Sequence, residues 1–562
     1  MRPLSRWLAV LPWAASLALA QVSFVEVTPP GNPYFATGEN EDFWANAVAP
    51  ADVDGDGDLD LAVLGFHVVY FVSAEDRLVV LRNDGPDPNG AWQFAAELLP
   101  LGALTAGASD LAWGDFDGDG DHDLAVGSDG ATVVYRNEGG SLAPLANVLP
   151  GYWEDSSYSG AYDLRSLTWA DADNDGDDDL LVPSVPNFVT STWETKLLRN
   201  DGPDGAGGWL FTDAAAALDP TVHAQSAWAD DDGDGDLDLF LANVDPYLGT
   251  GFVRRFGNDA GVFTGQDLLG IRVEYGLADW GDYDADGDLD IVVAGNIQEV
   301  GGSYATVLRV YRNDGGSYAE NDLVLAPSAD WLDLHAATWA DYDSDGDVDL
   351  LVTGNFVGAG EIEGKSEVFV NDGGTFVPLG LSLPAPISSV GRGGAFTWLD
   401  LDGDGDLDYL VAGAYYVPGG NGLVEARMHL YRNQAPGLNA PPAAPEGLVA
   451  TPGPEGTTLT WIPALDDHTA AEALTYDLEV RRPGEPATPV ARLPEPGGVS
   501  AVTRWQLTGL AAGEYLWSLA AVDASFAGGA SATGTFTVVA GIWLFGDGFE
   551  SGDSTAWSQT AP

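Results

Sequence analysis

Nine residues, Asp52-Val53-Asp54-Gly55-Asp56-Gly57-Asp58-Leu59-Asp60, constrain this chain more than any other stretch. Carboxylates occupy alternate positions, 1 to 9, and a glycine sits at position 6. Acids this close repel one another unless they converge on a cation, and Ca2+ accepts about six to eight oxygens in a forgiving geometry. The pattern recurs at 115–123, 171–179, 230–238, 282–290, 341–349 and 400–408, with successive starts 63, 56, 59, 52, 59 and 59 residues apart. That period suits a unit of four short strands, and such units repeated radially close into a β-propeller.

The rest of each repeat supports an all-β reading. A tryptophan stands two residues before the first Asp in six repeats (Trp113, Trp169, Trp228, Trp280, Trp339, Trp398), with Pro50 in the first. Position 9 is followed by a short apolar run such as Leu61-Ala62-Val63 or Ile291-Val292-Val293, the signature of a buried strand. A second strand then ends in an Asn-containing turn, as in Arg82-Asn83-Asp84-Gly85 and Arg312-Asn313-Asp314-Gly315, where residues tolerant of positive φ are required. An aromatic (Phe94, Phe211, Phe263, Phe376) usually opens a fourth strand.

The EF-hand shares the aspartates and the central glycine but needs a bidentate acid at position 12. Here that position holds Val63, Val126, Val182, Leu241, Val293, Val352 and Val411. The loop is therefore no EF-hand.

The repeated Trp-x-Asp-x-Asp-x-Asp-Gly-x-x-Asp-Leu pattern resembles the FG-GAP/VCBS repeats of integrin α-like propellers, over residues 21–438. The resemblance implies a seven-bladed β-propeller with Ca2+ held in each loop by side chains 1, 3, 5 and 9 and the carbonyl of position 7. Carried over, the ligands are Asp52, Asp54, Asp56, Asp58 and Asp60; Asp115, Asp117, Asp119, Asp121 and Asp123; Asp171, Asp173, Asp175, Asp177 and Asp179; Asp230, Asp232, Asp234, Asp236 and Asp238; Asp282, Asp284, Asp286, Asp288 and Asp290; Asp341, Asp343, Asp345, Asp347 and Asp349; and Asp400, Asp402, Asp404, Asp406 and Asp408. About seven Ca2+ sites follow. Asp178 and Asp231 are extra carboxylates at other positions, expected to be solvated, and His122 at position 8 is expected to point outward.

Closing such a ring needs one more strand. The seventh repeat runs into Pro-rich sequence after Asn433, whereas Phe24 lies 28 residues before Asp52, the spacing of a fourth strand from the next loop. Residues 22–28 are expected to complete the last blade. Before them, Arg2 and Arg6, an apolar run at 7–17 and Ala18-Leu19-Ala20 read as a secretory signal peptide, residues 1–20. The expected mature protein is secreted, soluble, monomeric and of bacterial export type.

Composition narrows the partners. Net charge is −66, from 87 acidic and 21 basic residues, which disfavours nucleic acid and anionic membranes. The seven loops hold 37 of the acids. No cysteine is present, so disulfides and thiolate chemistry are unavailable and another cross-link is needed in an exported chain.

Residues 439–445 read as a Pro/Ala-rich linker. Beyond them, 446–541 show about seven alternating strands and resemble a fibronectin type III domain, with Trp461 as the core tryptophan and Tyr515 near a tyrosine corner. Asp466-Asp467 are expected in a solvated loop, and residues 538–545 in a terminal strand. The tail, 542–562, carries Gly548-Phe549-Glu550-Ser551-Gly552-Asp553 and resembles a tail found in secreted bacterial proteins.

Two functions compete. The first is a non-catalytic adhesion, ligand-binding or structural protein, calcium-stapled and engaging an extracellular protein or glycan. The second is a secreted carbohydrate-active enzyme, a polysaccharide lyase or hydrolase on a propeller scaffold. The sequence favours the first. It has no G-x-S-x-G or H-E-x-x-H motif, and His67, His122, His223, His335, His429 and His468 are scattered.

Overall fold

The computed structural model describes residues 24–539 apart from short connecting segments, the longest being 151–166, 385–394 and 484–502. The expected signal peptide, 1–20, and the tail, 542–562, lie outside the described residues. Within them the chain is all-β, with no helix, and so with no helix long and apolar enough to cross a membrane.

Seven sheets built on four antiparallel strands follow one another. In the first, Glu41–Ala51, Asp60–Val69, Ser73–Pro86 and Trp92–Leu99 pair in chain order. The next five repeat that order from first strands at Asp110–Gly114, Thr168–Ala170, Val222–Ala229, Val273–Gly281 and Trp331–Ala340. The seventh comprises Ala395–Leu399, Asp408–Tyr416, Val424–Arg432 and, at its edge, Val25–Glu26 from the other end of the chain. Each carboxylate loop joins the first two strands of its sheet, and position 9 opens the second strand.

Second and third strands carry continuous apolar runs because both faces are covered by neighbouring sheets: Leu61, Ala62, Val63 and Leu64 are all fully buried. Clusters of buried side chains join consecutive sheets, and one containing Leu399, Leu410 and Met428 with Val48, Leu61 and Val79 joins the seventh sheet to the first. This is a β-propeller arrangement. The tryptophans that recur in the repeats seal the seams: Trp113 Nε1 donates to Ala49 O at 3.0 Å, and Trp169 Nε1 to Ala112 O at 3.2 Å, each on the preceding sheet. Gly114 permits that approach, since a Cβ there would lie 2.5 Å from the Trp169 ring.

The N-terminal segment ties the seam further. Val27 N–H donates to Leu430 O at 2.9 Å, and the buried Phe35 ring packs in a tilted arrangement 5.3 Å from that of Phe94 of the first sheet.

After Asn439 two three-stranded sheets pack face to face. One holds Glu446–Gly453, Gly456–Ile462 and Arg504–Leu507; the other holds Thr475–Arg481, Gly513–Val522 and Ala532–Val538. Six strands are thus described, and the span 484–502 lies outside the described residues. Between the sheets Trp461 meets Tyr476 edge-on at 5.3 Å, and Tyr515 OH donates to Ala511 O at 2.8 Å, four residues upstream. The terminal strand ends at Val538, and residues 540–562 lie outside the described region.

Candidate metal centres

The carboxylate loops share one backbone geometry. The position 1 carboxylate accepts the N–H groups of positions 5 and 6 at 2.9–3.2 Å in all seven, which curls the loop around it. Position 6 has φ of +91° to +97°, a region open to glycine alone. Position 4 is left-handed in every loop, even where it is Asn174, Ala285 or Ser344.

This curl gathers the side chains. Oxygens of positions 1, 3 and 5 lie within 4.8 Å of one another in the loops at 52–60, 171–179 and 230–238, and those of Asp115, Asp117 and Asp123 do so in the second. Three position 7 side chains turn away: Asp121, Asp288 and Asp347 accept the N–H of Gly139, Gly315 and Gly373 at 2.6–2.9 Å.

A test of fit for a cation lies in the unmatched oxygens. One carboxylate oxygen of Asp117, Asp173, Asp284, Asp343 and Asp402, all at position 3, is buried without a hydrogen-bond donor. A buried carboxylate oxygen left so is costly unless a cation meets it. Burial, then repulsion from neighbouring carboxylates, pushes Asp123 up to about 10, Asp177 to about 8 and Asp290 to about 9. Asp349 is raised well above the usual range for the same reasons. A hard, oxygen-seeking cation suits this donor set.

Each loop is also wired to the next sheet. A buried asparagine stands at or near the end of the third strand in every repeat: Asn83, Asn137, Asn200, Asn258, Asn313, Asn371 and Asn433. Its N–H donates to the position 9 carboxylate at 2.6–2.8 Å. Its side-chain amide donates to the position 8 carbonyl of its own loop at 3.0–3.3 Å. The same amide reaches the position 2 carbonyl of the preceding loop at 2.6–3.3 Å, and Asn83 closes the cycle onto Leu401. Sequence reasoning took these asparagines as turn formers. Their recurrence once per repeat was the available signal.

Three expectations need correction. His122 is buried, because position 8 faces the core, as buried Leu59, Leu237 and Leu407 also show. Asp178 is half-buried and accepts the Asp115 N–H at 3.1 Å, bridging two loops. Asp231 is buried under the Arg255 guanidinium, with Tyr318 OH donating to it. Asp466 is half-buried and accepts the N–H groups of His468 and Thr469 at 2.8 and 2.7 Å, while Asp467 is exposed.

The C-terminal sandwich sits on the loop face. Thr508 donates through N–H and Oγ1 to Asn174 O and Asp173 O, both at 2.8 Å, and Ser525 Oγ donates to Asp341 O at 3.0 Å. The position 6 glycines of the last five loops lie against Leu510, Gln506, Glu472, His468 and Asn439 respectively, whereas Gly57 faces open space. Asn439, expected in a linker, is buried and donates to Asp523 Oδ2 at 2.7 Å.

Residues 68–126, 115–182 and 282–352 match the FG-GAP-like repeat. Comparison with curated proteins gives no match. Among solved structures, an Agrocybe aegerita lectin recognising non-reducing terminal N-acetylglucosamine is 17% identical, with 70% of this chain and 99% of that one covered and a TM-score of 0.36. An exotype rhamnogalacturonan lyase, YesX, is 16% identical over 80% of this chain and 76% of its own, with a TM-score of 0.34. The Dos1 propeller is 10% identical over 70% and 95%, also at 0.34. Similarity at this level carries nothing about activity.

Proposed function

We propose that the chain is a secreted, calcium-stapled, seven-bladed propeller with a fibronectin type III-like domain, and that it binds an extracellular protein or glycan without catalysis. The observation that carries the calcium reading is the set of buried position 3 oxygens without donors, repeated in five loops. Within an occupied loop, side chains 1, 3, 5 and 9 would hold the ion. Bound Ca2+ neutralises the converging carboxylates and so stabilises the curl. Extracellular-type sites have Kd of ~10⁻⁴ to 10⁻³ M, so each adds on the order of 0.5 to 1.5 kcal/mol at millimolar Ca2+.

The ring is closed by residues 22–28, a reading supported by the pairing of Val25 with Arg432 and Glu26 with Tyr431. The sandwich reading draws on buried Trp461 and on the Tyr515–Ala511 hydrogen bond. Ligand recognition falls to loops of the propeller, segments held on a rigid scaffold.

Two experiments test this. Calorimetric titration of the chelator-treated protein should show several Ca2+ per chain, and no heat above buffer would end the calcium reading. Screening on glycan and extracellular-matrix arrays, with and without Ca2+, tests binding. Release of cleaved oligosaccharides from an immobilised polysaccharide would favour the enzyme instead.

A further inference from the structure

The fourth loop, 230–238, differs from the others in a way that bears on its cation. Arg255, on the strand Gly251–Asp259, lies over the loop carboxylates. Its Nη2 donates to Asp232 Oδ2 at 2.7 Å and to Asp238 Oδ2 at 2.9 Å, positions 3 and 9 of the loop. Its Nε donates to Asp231 Oδ1 and Oδ2 at 2.7 and 2.6 Å. The Arg255 side chain is only 11% exposed, and those of Asp231 and Asp238 are 0% and 1% exposed.

Asp231 explains why the guanidinium stays there. It occupies position 2, where the other loops carry Val53, Phe116, Ala172, Tyr283, Tyr342 and Leu401. It lies outside the set that would hold an ion, and it fixes Arg255 from behind with a bidentate, charge-assisted pairing. Tyr318 of the following sheet donates to the same carboxylate, and Asn313 to the Asp231 carbonyl at 2.8 Å. The arginine is therefore part of a buried network spanning two sheets.

Other repeats also bring an arginine near, with a weaker hold. Arg82 reaches position 9 at 3.0 Å but stands 3.8 Å from position 3. Arg136 and Arg432 pair with position 3 through Nε, the latter at 2.5 Å, but their side chains are 38% and 39% exposed with no position 2 carboxylate behind them. Arg312, 42% exposed, stands 3.4 and 3.3 Å from positions 3 and 5. The sixth repeat has Val370 at the corresponding place. Buried position 3 oxygens without donors occur in loops two, three, five, six and seven, whereas Asp232 is 35% exposed and bonded to Arg255.

We propose that the fourth loop takes no divalent cation: Arg255 is its built-in counter-ion, and the propeller binds one Ca2+ fewer through it. A dication held by Asp232 and Asp238 would sit against a fixed guanidinium sharing the same oxygens, and like charges so placed repel strongly. The consequence is one metal-independent seam, between the fourth and fifth sheets. This inference rests on the calcium reading of the other loops.

Native mass spectrometry of the full chain, titrated with Ca2+ from the chelated state, counts the ions directly. R255Q, and D231N/R255Q in which the private carboxylate is neutralised as well, should each bind one Ca2+ more than wild type. Equal, non-zero counts in wild type and both variants would overturn the proposal. Zero in all three would instead remove the calcium reading, and the proposal with it. A second measurement avoids disturbing the arginine: D232N should leave the wild-type count unchanged, whereas D343N, in the arginine-free sixth loop, should lower it by one. A loss of one ion in D232N would show that the fourth loop is a metal site after all.

Discussion

At the scale of single residues, two positions carry consequences that the repeat pattern hides. Position 4 is left-handed throughout, at a cost of roughly 1–2 kcal/mol for a residue with a Cβ. Ala285 at φ +55° has no side-chain group to offset this. Exchange for glycine removes the strain and adds unfolded-state entropy, so A285G should gain up to about 1 kcal/mol, read by denaturant unfolding. A loss of stability would mean the loop does not hold this conformation. Asn313 is the opposite case. It is fully buried, donates at 2.8 Å to Asp231 O and 3.1 Å to Leu289 O, and accepts the Gly316 N–H at 2.8 Å. N313A leaves all three partners unmet and should cost about 2–4 kcal/mol. The same exchange at Asn46, another buried asparagine but on a first strand outside the cycle, offers a comparison. The glycines were readable from sequence because φ near +95° admits nothing else. The asparagine cycle was not, because each side-chain amide bonds a carbonyl more than 80 residues away in every repeat.

At the scale of the loop, protons and any bound cation would compete for the same carboxylates. Asp115 is raised to about 8, Asp230 and Asp282 to about 7 and Asp408 to about 9, first by burial and then by neighbouring aspartates. Their unfolded values are about 3.9. A carboxyl whose folded pKa is raised contributes stability below the unfolded pKa, and loses it as pH rises through the folded one. In chelator the melting temperature should therefore fall steadily from pH 5 to pH 9. Saturating Ca2+ should remove most of that fall, because the ion replaces the protons and binding releases them. A chelated protein whose melting temperature is flat over this range would show that the loops do not converge as described. The alternation of acids made the loop legible in the sequence. The partial switch of position 7 toward the glycine turn was not, since its side chain and its carbonyl point in different directions.

At the scale of the whole molecule, the four-strand period and the strand order agree, because each repeat is one supersecondary unit whose apolar faces only neighbouring units can cover. The placement of the sandwich was not legible, as it depends on shape complementarity between surfaces far apart in sequence. Its consequence can be isolated at position 6. Gly57 and Gly346 share φ +96°, so alanine strains both loops alike. At Gly57 the new Cβ meets nothing within 4 Å, whereas at Gly346 it would lie 2.1 Å from the carbonyl oxygen of His468 in the sandwich. G346A should therefore lift the sandwich off the loop face while G57A should not. The readout is hydrogen exchange at the Thr508 amide, which donates to Asn174 O at 2.8 Å in a different loop from either substitution. Exchange should quicken in G346A, and in wild type on chelation, because Asn174 belongs to a carboxylate loop that holds its curl less firmly without the ion. Unchanged protection in G346A would mean that the close contact at Gly346 does not hold the sandwich in place.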